Sequence, residues 1–286
     1  GKKSAPHYFL QCTRYPVNHS PAWGNLIFVR DDRLKDFEKT LKSYFNPRYQ
    51  KREQIILESS NQRIATFAKK HEGERCVIVG NGPSLNQMDL SFLKKEITFG
   101  LNKMYLGFEK KDFLPTYYVA VNQLIIEQSA NEICKIPSIK FISNKGIPYI
   151  TPQKELLFVN TDQPTQDFSS NPTQGLNEGS TATYVALQLA YYMGFKTVIL
   201  IGLDNYFVAE DALHQEVLSQ GNEPNHFHPN YLGKGTKWQL PNIETVERLY
   251  KTALAKFWLD SRTIIDATVD GRCPVFMKKS YKELFF

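Results

Sequence analysis

From residue 75 onward the chain alternates between short, largely apolar runs and longer stretches with apolar residues three or four apart. Cys76-Val-Ile-Val-Gly80 is the first such run. Ile97–Leu101, Tyr117–Val121, Ile139–Ile142, Leu156–Val159, Val198–Gly202 and Thr263–Ile265 follow. A run with no polar side, closed by a turn residue, predicts a strand buried on both faces, as in a parallel sheet. Two of the intervening stretches predict helices. Thr183–Tyr192 carries Val185, Leu187, Leu189 and Ala190 and stops at Gly194, a natural C-cap. Ile243–Leu259 places Val246, Leu249, Tyr250, Leu254 and Phe257 on one face. Strands alternating with helices predict an α/β fold: a Rossmann-like, doubly wound, mostly parallel sheet.

Two regions depart from this rhythm. Residues 1–25 hold three prolines and little periodicity, which predicts an irregular arm. Phe37, Leu41 and Tyr44 then form one short helical stripe, and Ile55, Ile56, Ile64, Phe67 and Ala68 suggest a second helix after the break at Asn46-Pro47. Residues 1–72 are therefore expected to form an arm and helical extension, packed on the main domain or on a partner subunit. Residues 73–286 are expected to form the main domain. Within it, about 205–241 shows no clear element, too long for an ordinary connection, and predicts a lid directly after a strand end.

Composition narrows the class. The 286 residues carry a net charge of +6, with 42% hydrophobic, 13% aromatic and 22% charged residues. That balance excludes disorder, collagen and coiled coil, and no apolar run approaches the ~18 residues of a membrane span. The opening Gly-Lys-Lys-Ser-Ala-Pro shows no apolar leader, and the four cysteines show no CxxC spacing. The expectation is a reduced, cytoplasmic setting, compatible with the inner face of a membrane, with peripheral membrane contact and with a homo-oligomer. The weak, evenly spread positive charge suits an anionic substrate or a membrane surface and argues against nucleic acid.

The densest chemical signal is Val79-Gly80-Asn81-Gly82-Pro83-Ser84-Leu85. Two glycines after a strand let the backbone approach a phosphate at a helix start. It is no dinucleotide fingerprint, because Leu85 occupies the third glycine position and the next strand ends in Asn102 rather than an acid. It is no P-loop, because the lysine is missing. Asn81, Asn102 and Asn122 end three successive strands. Each alone reads as a turn former, but together their amides could read a nucleobase or ribose without adding charge. Gly179-Ser180-Thr181 opens the helix at Thr183, either as an N-cap or as a seat for a carboxylate or phosphate. Gly202-Leu-Asp204-Asn205-Tyr206 closes the most hydrophobic strand. Asp204 reads as a buried acid tying down loop amides, and Tyr206 as a neutral donor to a phosphate.

Three of the six histidines, His214, His226 and His228, fall in the lid. No cysteine or acid completes a metal set with them, and no DxD pair occurs, so no metal is expected. A lid histidine could instead serve as a general base. Tyr231, Lys234, Lys237 and Trp238 could bind an acidic or sugar acceptor.

Taken in order, Val-Gly-Asn-Gly-Pro-Ser-Leu, Asn102, Asn122-Gln, Gly-Ser-Thr, Gly-Leu-Asp-x-Tyr and the histidine lid resemble the bacterial family 42 sialyltransferases. They look closer still to bacterial proteins called methylpterin-pyrophosphokinase-like, which include motility accessory factors of flagellin glycosylation. The resemblance runs over about residues 74–286, including Ile265-Asp-Ala-Thr-Val-Asp-Gly-Arg-Cys-Pro-Val-Phe276. It implies an inverting, metal-independent glycosyltransferase that uses a CMP-activated sugar, sialic acid or a related nonulosonate, as donor substrate. The acceptor would be a bacterial surface glycan or glycoprotein, and no other cofactor is implied. Gly80, Asn81, Gly82 and Ser84 would meet the phosphate and ribose of CMP. Asn102 and Asn122 would touch the donor, Gly179, Ser180 and Thr181 would lie at the sugar carboxylate with Asp204 nearby, and Tyr206 would hold the departing phosphate. That family's base precedes Tyr-Ile-Gly directly. Here Asn230 precedes Tyr231-Leu-Gly233, which leaves His226 and His228 as alternatives. Two other readings stand beside this one: an ATP-dependent pyrophosphokinase acting on a pterin, and a non-catalytic nucleotide-binding or scaffold module.

Overall fold

A computed structural model of the chain describes residues 8–11, 26–29, 47–108, 113–162, 166–206, 216–219, 221, 224–239 and 242–286. The chain divides into two compact units, Gly1–Ile55 and Ile56–Phe286. In the first, β1 (Tyr8–Gln11) pairs antiparallel with β2 (Leu26–Val29), so the segment expected to be irregular contains a strand. The helix expected around Phe37, Leu41 and Tyr44 lies outside the described residues. The second expected helix is α1 (Pro47–Ile64), and Pro47 opens it, where a missing N–H costs nothing.

The second unit is built on one sheet. Its strands are β3 (Arg75–Val79), β4 (Ile97–Leu101), β5 (Tyr117–Ala120), β6 (Ile139–Ser143), β7 (Leu156–Val159), β8 (Thr197–Ile201), β11 (Thr263–Asp266) and β12 (Met277–Lys278). They lie in the order β12-β11-β8-β3-β4-β5-β6-β7, and every pairing is parallel. This is the expected α/β, Rossmann-like sheet. The short helices α2 (Gln123–Gln128) and α3 (Ala130–Lys135) follow β5. The longer α4 (Ala182–Tyr192) precedes β8, α5 (Ile243–Leu259) precedes β11, and α6 (Tyr281–Phe285) follows β12. Within the expected lid, β9 (Glu216–Leu218) and β10 (Lys237–Gln239) pair antiparallel.

The apolar runs are buried as their composition demands. Val77, Val79, Phe99, Val119, Phe141 and Val198 are fully shielded. One core cluster combines α4 and α5 with residues from one face of the sheet. Ile64 and Phe67 join it, so the end of α1 and the stretch just after it belong to this core. The expected domain boundary lay at 72/73, whereas the compact units divide at 55/56.

Order along the sheet decides where a site can be. β4 and β8 flank β3 on opposite sides, so the winding reverses there. The diverging connections leave a crevice at the carboxyl ends of β3 and β8, the place where open α/β sheets bind ligands.

Candidate active site at the carboxyl edge of the sheet

A cavity of about 400 Å³ occupies that crevice. Its wall is made by the turns after β3, β4, β5 and β8, the starts of α2, α4 and α5, and part of the lid. Of the residues singled out from the sequence, Gly80, Asn81, Gly82, Asn102, Asn122, Ser180, Thr181, Asp204, Tyr206, His226, Tyr231 and Lys237 line it. Ser84, Gly179, His228 and Lys234 do not. The backbone of Trp238 lies in β10, but its side chain and all of His214 lie outside the described residues.

The Gly-Asn-Gly turn is keyed to the end of β8. The Gly80 and Gly82 N–H groups donate to the carbonyls of Ile201 (2.8 Å) and Gly202 (3.0 Å). A Cβ on Gly80 would stand 2.3 Å from the Gly202 oxygen, and one on Gly82 would stand 1.6 Å from Asp204 Oδ2. Ser84 donates to the same carboxylate twice, N–H to Oδ1 (3.1 Å) and Oγ to Oδ2 (2.7 Å). Burial pushes the Asp204 carboxyl above its usual range, and the Ser84 hydrogen bonds oppose that rise. Asp204 is therefore the tying acid expected of it. Ser84, expected at the phosphate, is buried against Asp204 instead. The helix expected after this turn is the short 3-10 segment Pro83–Gln87, with no side-chain cap, so the α-helix starts at the cavity are those of α2, α4 and α5. At α4, Thr181 is the N-cap and accepts from the Thr183 N–H. Gly179 serves the backbone: its φ is +54°, and a Cβ there would collide with the Tyr184 ring.

The three asparagines divide. Asn122 Oδ1 accepts from Ile125 N–H at 3.2 Å and caps α2, as a turn former would. Asn81 donates through Nδ2 to the Leu101 carbonyl (2.9 Å), and the Asn102 carbonyl accepts from the Tyr118 hydroxyl. Their side-chain oxygens, Asn81 Oδ1 and Asn102 Oδ1, are buried with no hydrogen-bond partner among the described residues. Such an acceptor costs roughly 1–3 kcal/mol, and native interiors hold few. Asn102 also sits at φ +48°. Two unpaired acceptors thus stand at adjacent strand ends in the wall of one cavity, where they can accept hydrogen bonds from a ligand.

The lid is fastened beside them. Phe227 N–H donates to the Asn81 carbonyl, and Asn86 Nδ2 donates to the Phe227 carbonyl, each at 2.8 Å. Lys103 is buried and donates from Nζ to the Tyr231 carbonyl at 2.9 Å. Burial lowers the pKa of its ammonium. These anchors hold the His226 ring stacked on Tyr231, centroids 3.7 Å apart and planes 6° from parallel. His226 thereby joins the cavity wall. His228 is turned to its own loop, its Nδ1 accepting from Asn230 N–H at 3.1 Å. Tyr206 is half exposed at the wall, with the Arg272 guanidinium 4.0 Å from its ring centre.

Sequence reasoning missed Glu178, which also lines the cavity. Its Oε1 accepts from Thr161 Oγ1 (2.7 Å) and Lys145 Nζ (2.8 Å). No pattern in the chain announces it, because its partners come from loops after two other strands. Among the described residues no three His, Cys, Asp or Glu side chains converge as metal ligands.

Fold and cavity together define a Rossmann-like protein with a cavity at the switch point of its sheet. The chain belongs to the MptE-like family: the family model described as 6-hydroxymethylpterin diphosphokinase MptE-like matches residues 49–210. This is one of the two likenesses drawn from the sequence motifs; the family 42 likeness rests on the motifs alone. Among solved structures the chain is similar to the MAf glycosyltransferase from Magnetospirillum magneticum AMB-1, at 12% identity and a TM-score of 0.50. The alignment covers 79% of this chain and 39% of that one, so the chain spans about two fifths of the other's length. At that identity the likeness is one of fold. No curated protein matches the sequence.

Proposed function

We propose that this protein is a glycosyltransferase acting on a nucleotide-activated sugar, with a CMP-sugar of the sialic acid or related nonulosonate class as donor. The acceptor is a glycan or glycoprotein, and transfer is inverting and independent of metal. The observation that carries the reading is the pair of unpaired buried oxygens, Asn81 Oδ1 and Asn102 Oδ1, beside the His226–Tyr231 stack. Such acceptors suit the exocyclic amine of a nucleobase or the hydroxyls of a ribose.

In the proposed reaction the acceptor hydroxyl oxygen attacks the anomeric carbon while the bond from that carbon to the phosphate oxygen breaks. The electron pair leaves with the phosphate, and the acceptor proton passes to His226. A general base so placed contributes typically ~10²–10⁴-fold in rate. The Tyr206 hydroxyl donates to the departing phosphate, easing the charge that develops there. Lys237 and Tyr231 face the acceptor. No helix among the described residues is long and apolar enough to cross a membrane. Peripheral contact with a membrane-borne acceptor is part of the proposal.

Thermal-shift titration tests the donor: CMP and CMP-sugars are expected to raise the melting temperature, and indifference to every cytidine nucleotide overturns the donor assignment. The family description favours a second reading, diphosphate transfer from ATP to a pterin. Asp204 in the cavity wall is already engaged on both oxygens by Ser84, which supports the first reading over the second. Magnesium-dependent release of AMP from ATP in the presence of a hydroxymethylpterin would reverse that order.

A further inference from the structure

We propose that Glu178 is a hydroxyl-reading residue of this cavity, accepting hydrogen bonds from a sugar ring of the bound substrate. The dinucleotide-binding version of this fold places such an acid at the end of the second strand. Here that position, the end of β4, holds Asn102. The carboxylate is supplied instead from the loop before α4, two residues ahead of Ser180 in the same wall.

Glu178 is held as a preorganised group would be. Thr161 follows β7 and Lys145 follows β6, and both donate to one oxygen, Oε1. The supports are themselves fixed. Thr161 Oγ1 lies 2.7 Å from Ser143 Oγ, and Thr161 N–H donates to Asn144 Oδ1 at 3.0 Å. Lys145 N–H donates to Ser143 Oγ at 3.2 Å. The loop is closed by Thr181 N–H donating to the Glu178 carbonyl at 2.9 Å. The second oxygen, Oε2, makes no hydrogen bond among the described residues. A carboxylate pinned on one oxygen by a hydroxyl and an ammonium, with its other oxygen left over, is an acceptor in a fixed direction. Hydroxyl groups are the matching donors, and a vicinal pair on a ribose or on the transferred sugar supplies them.

This inference rests on the cavity holding a sugar-bearing nucleotide, so the test separates the two claims. Isothermal titration of the full chain and of Glu178→Gln would use CMP, 2′,3′-dideoxy-CMP and CMP-sialic acid, with AMP and 2′,3′-dideoxy-AMP alongside. If Glu178 reads the ribose, E178Q weakens CMP about tenfold or more, towards the dideoxy ligand, and leaves the dideoxy ligand unchanged. If it reads the transferred sugar, E178Q weakens CMP-sialic acid by that amount and leaves CMP unchanged. Thr161→Val keeps the carboxylate but removes one support, and should give a smaller loss with the same ligand pattern. An equal effect of E178Q on every ligand, or no effect on any, overturns the proposal. Hydroxyl discrimination on AMP without cytidine binding would overturn the CMP donor and keep Glu178. Failure of every nucleotide to bind the wild-type chain overturns both.

Discussion

The two edges of the central sheet treat their polar groups in opposite ways. At the amino edge, His71 uses both ring nitrogens, Nδ1 on Glu74 (2.8 Å) and Nε2 on the Tyr117 hydroxyl (2.7 Å), while its ring stacks on Phe195. Nearby, Arg75 pairs with Glu96 through Nε and Nη2. Lys140 is buried and donates to the carbonyls of Ile136 and Ser138. At the carboxyl edge, Asn81 and Asn102 keep unpaired oxygens, and Asn102, Ser180 and Asn205 sit at positive φ. Both edges are rich in polar side chains, so polarity does not mark the site. The difference is completeness: a closed network stabilises the fold, whereas an open one bears a cost that a ligand can relieve.

The sharpest challenge to this contrast is His226→Ala. If the open edge is catalytic, transfer should fall by about 10² or more while circular dichroism stays native, and His228→Ala should change it little. Equal losses in both variants would dissolve the distinction between the two lid histidines. Next in size, Gly82→Ala drives a methyl into the Asp204 carboxylate and should cost about 1–3 kcal/mol in denaturant unfolding. Wild-type stability would show that the two turns are not keyed. Asn102→Gly removes an unpaired oxygen at a φ of +48° that glycine accepts freely. Its ligand-free melting temperature should hold or rise while the shift induced by CMP shrinks, the usual exchange of stability against function. A fall in both would mean that the oxygen is structural.

The smallest effect belongs to the closed edge. Burial, with Glu74 and Cys76 adding to it, raises the Tyr117 phenol to about 12. Between its ordinary pKa near 10 and that value, the folded chain keeps a proton that the unfolded chain has lost. Stability therefore falls as pH rises through this window. Tyr117→Phe should remove that part of the alkaline slope and, by breaking the bond to His71, cost about 1 kcal/mol at neutral pH.

How much of this was legible in the chain follows from what each feature depends on. Strands buried on both faces are largely apolar, so β3 to β8 and β11 stand out by composition even though β6 carries the buried Lys140 and β11 ends in the buried Asp266. β12 has two residues, both exposed, and α2 and α3 have six each, too short for a period to show. The lid strands β9 and β10 were hidden in a polar stretch with no alternation. The strand-end asparagines were visible as a set, but their inequality was not. Asn122 is spent on a cap, and only packing leaves the oxygens of the other two unpaired. That His226 rather than His228 lines the cavity likewise depends on the stack on Tyr231, five residues along. Glu178 depends on β6 and β7 bringing Lys145 and Thr161 together, which no linear spacing encodes.

The fit between Gly82 and Asp204 carries a consequence for descent. The carboxylate occupies the space where any other residue at 82 would put its first carbon. Neither position is then free to drift alone. A lineage that acquires a side chain at 82 is expected to shrink residue 204 in the same step or soon after, and to release Ser84 from its partner. Paired replacement at these sites, 122 positions apart along the chain (204 − 82), would be the inherited trace of one steric contact.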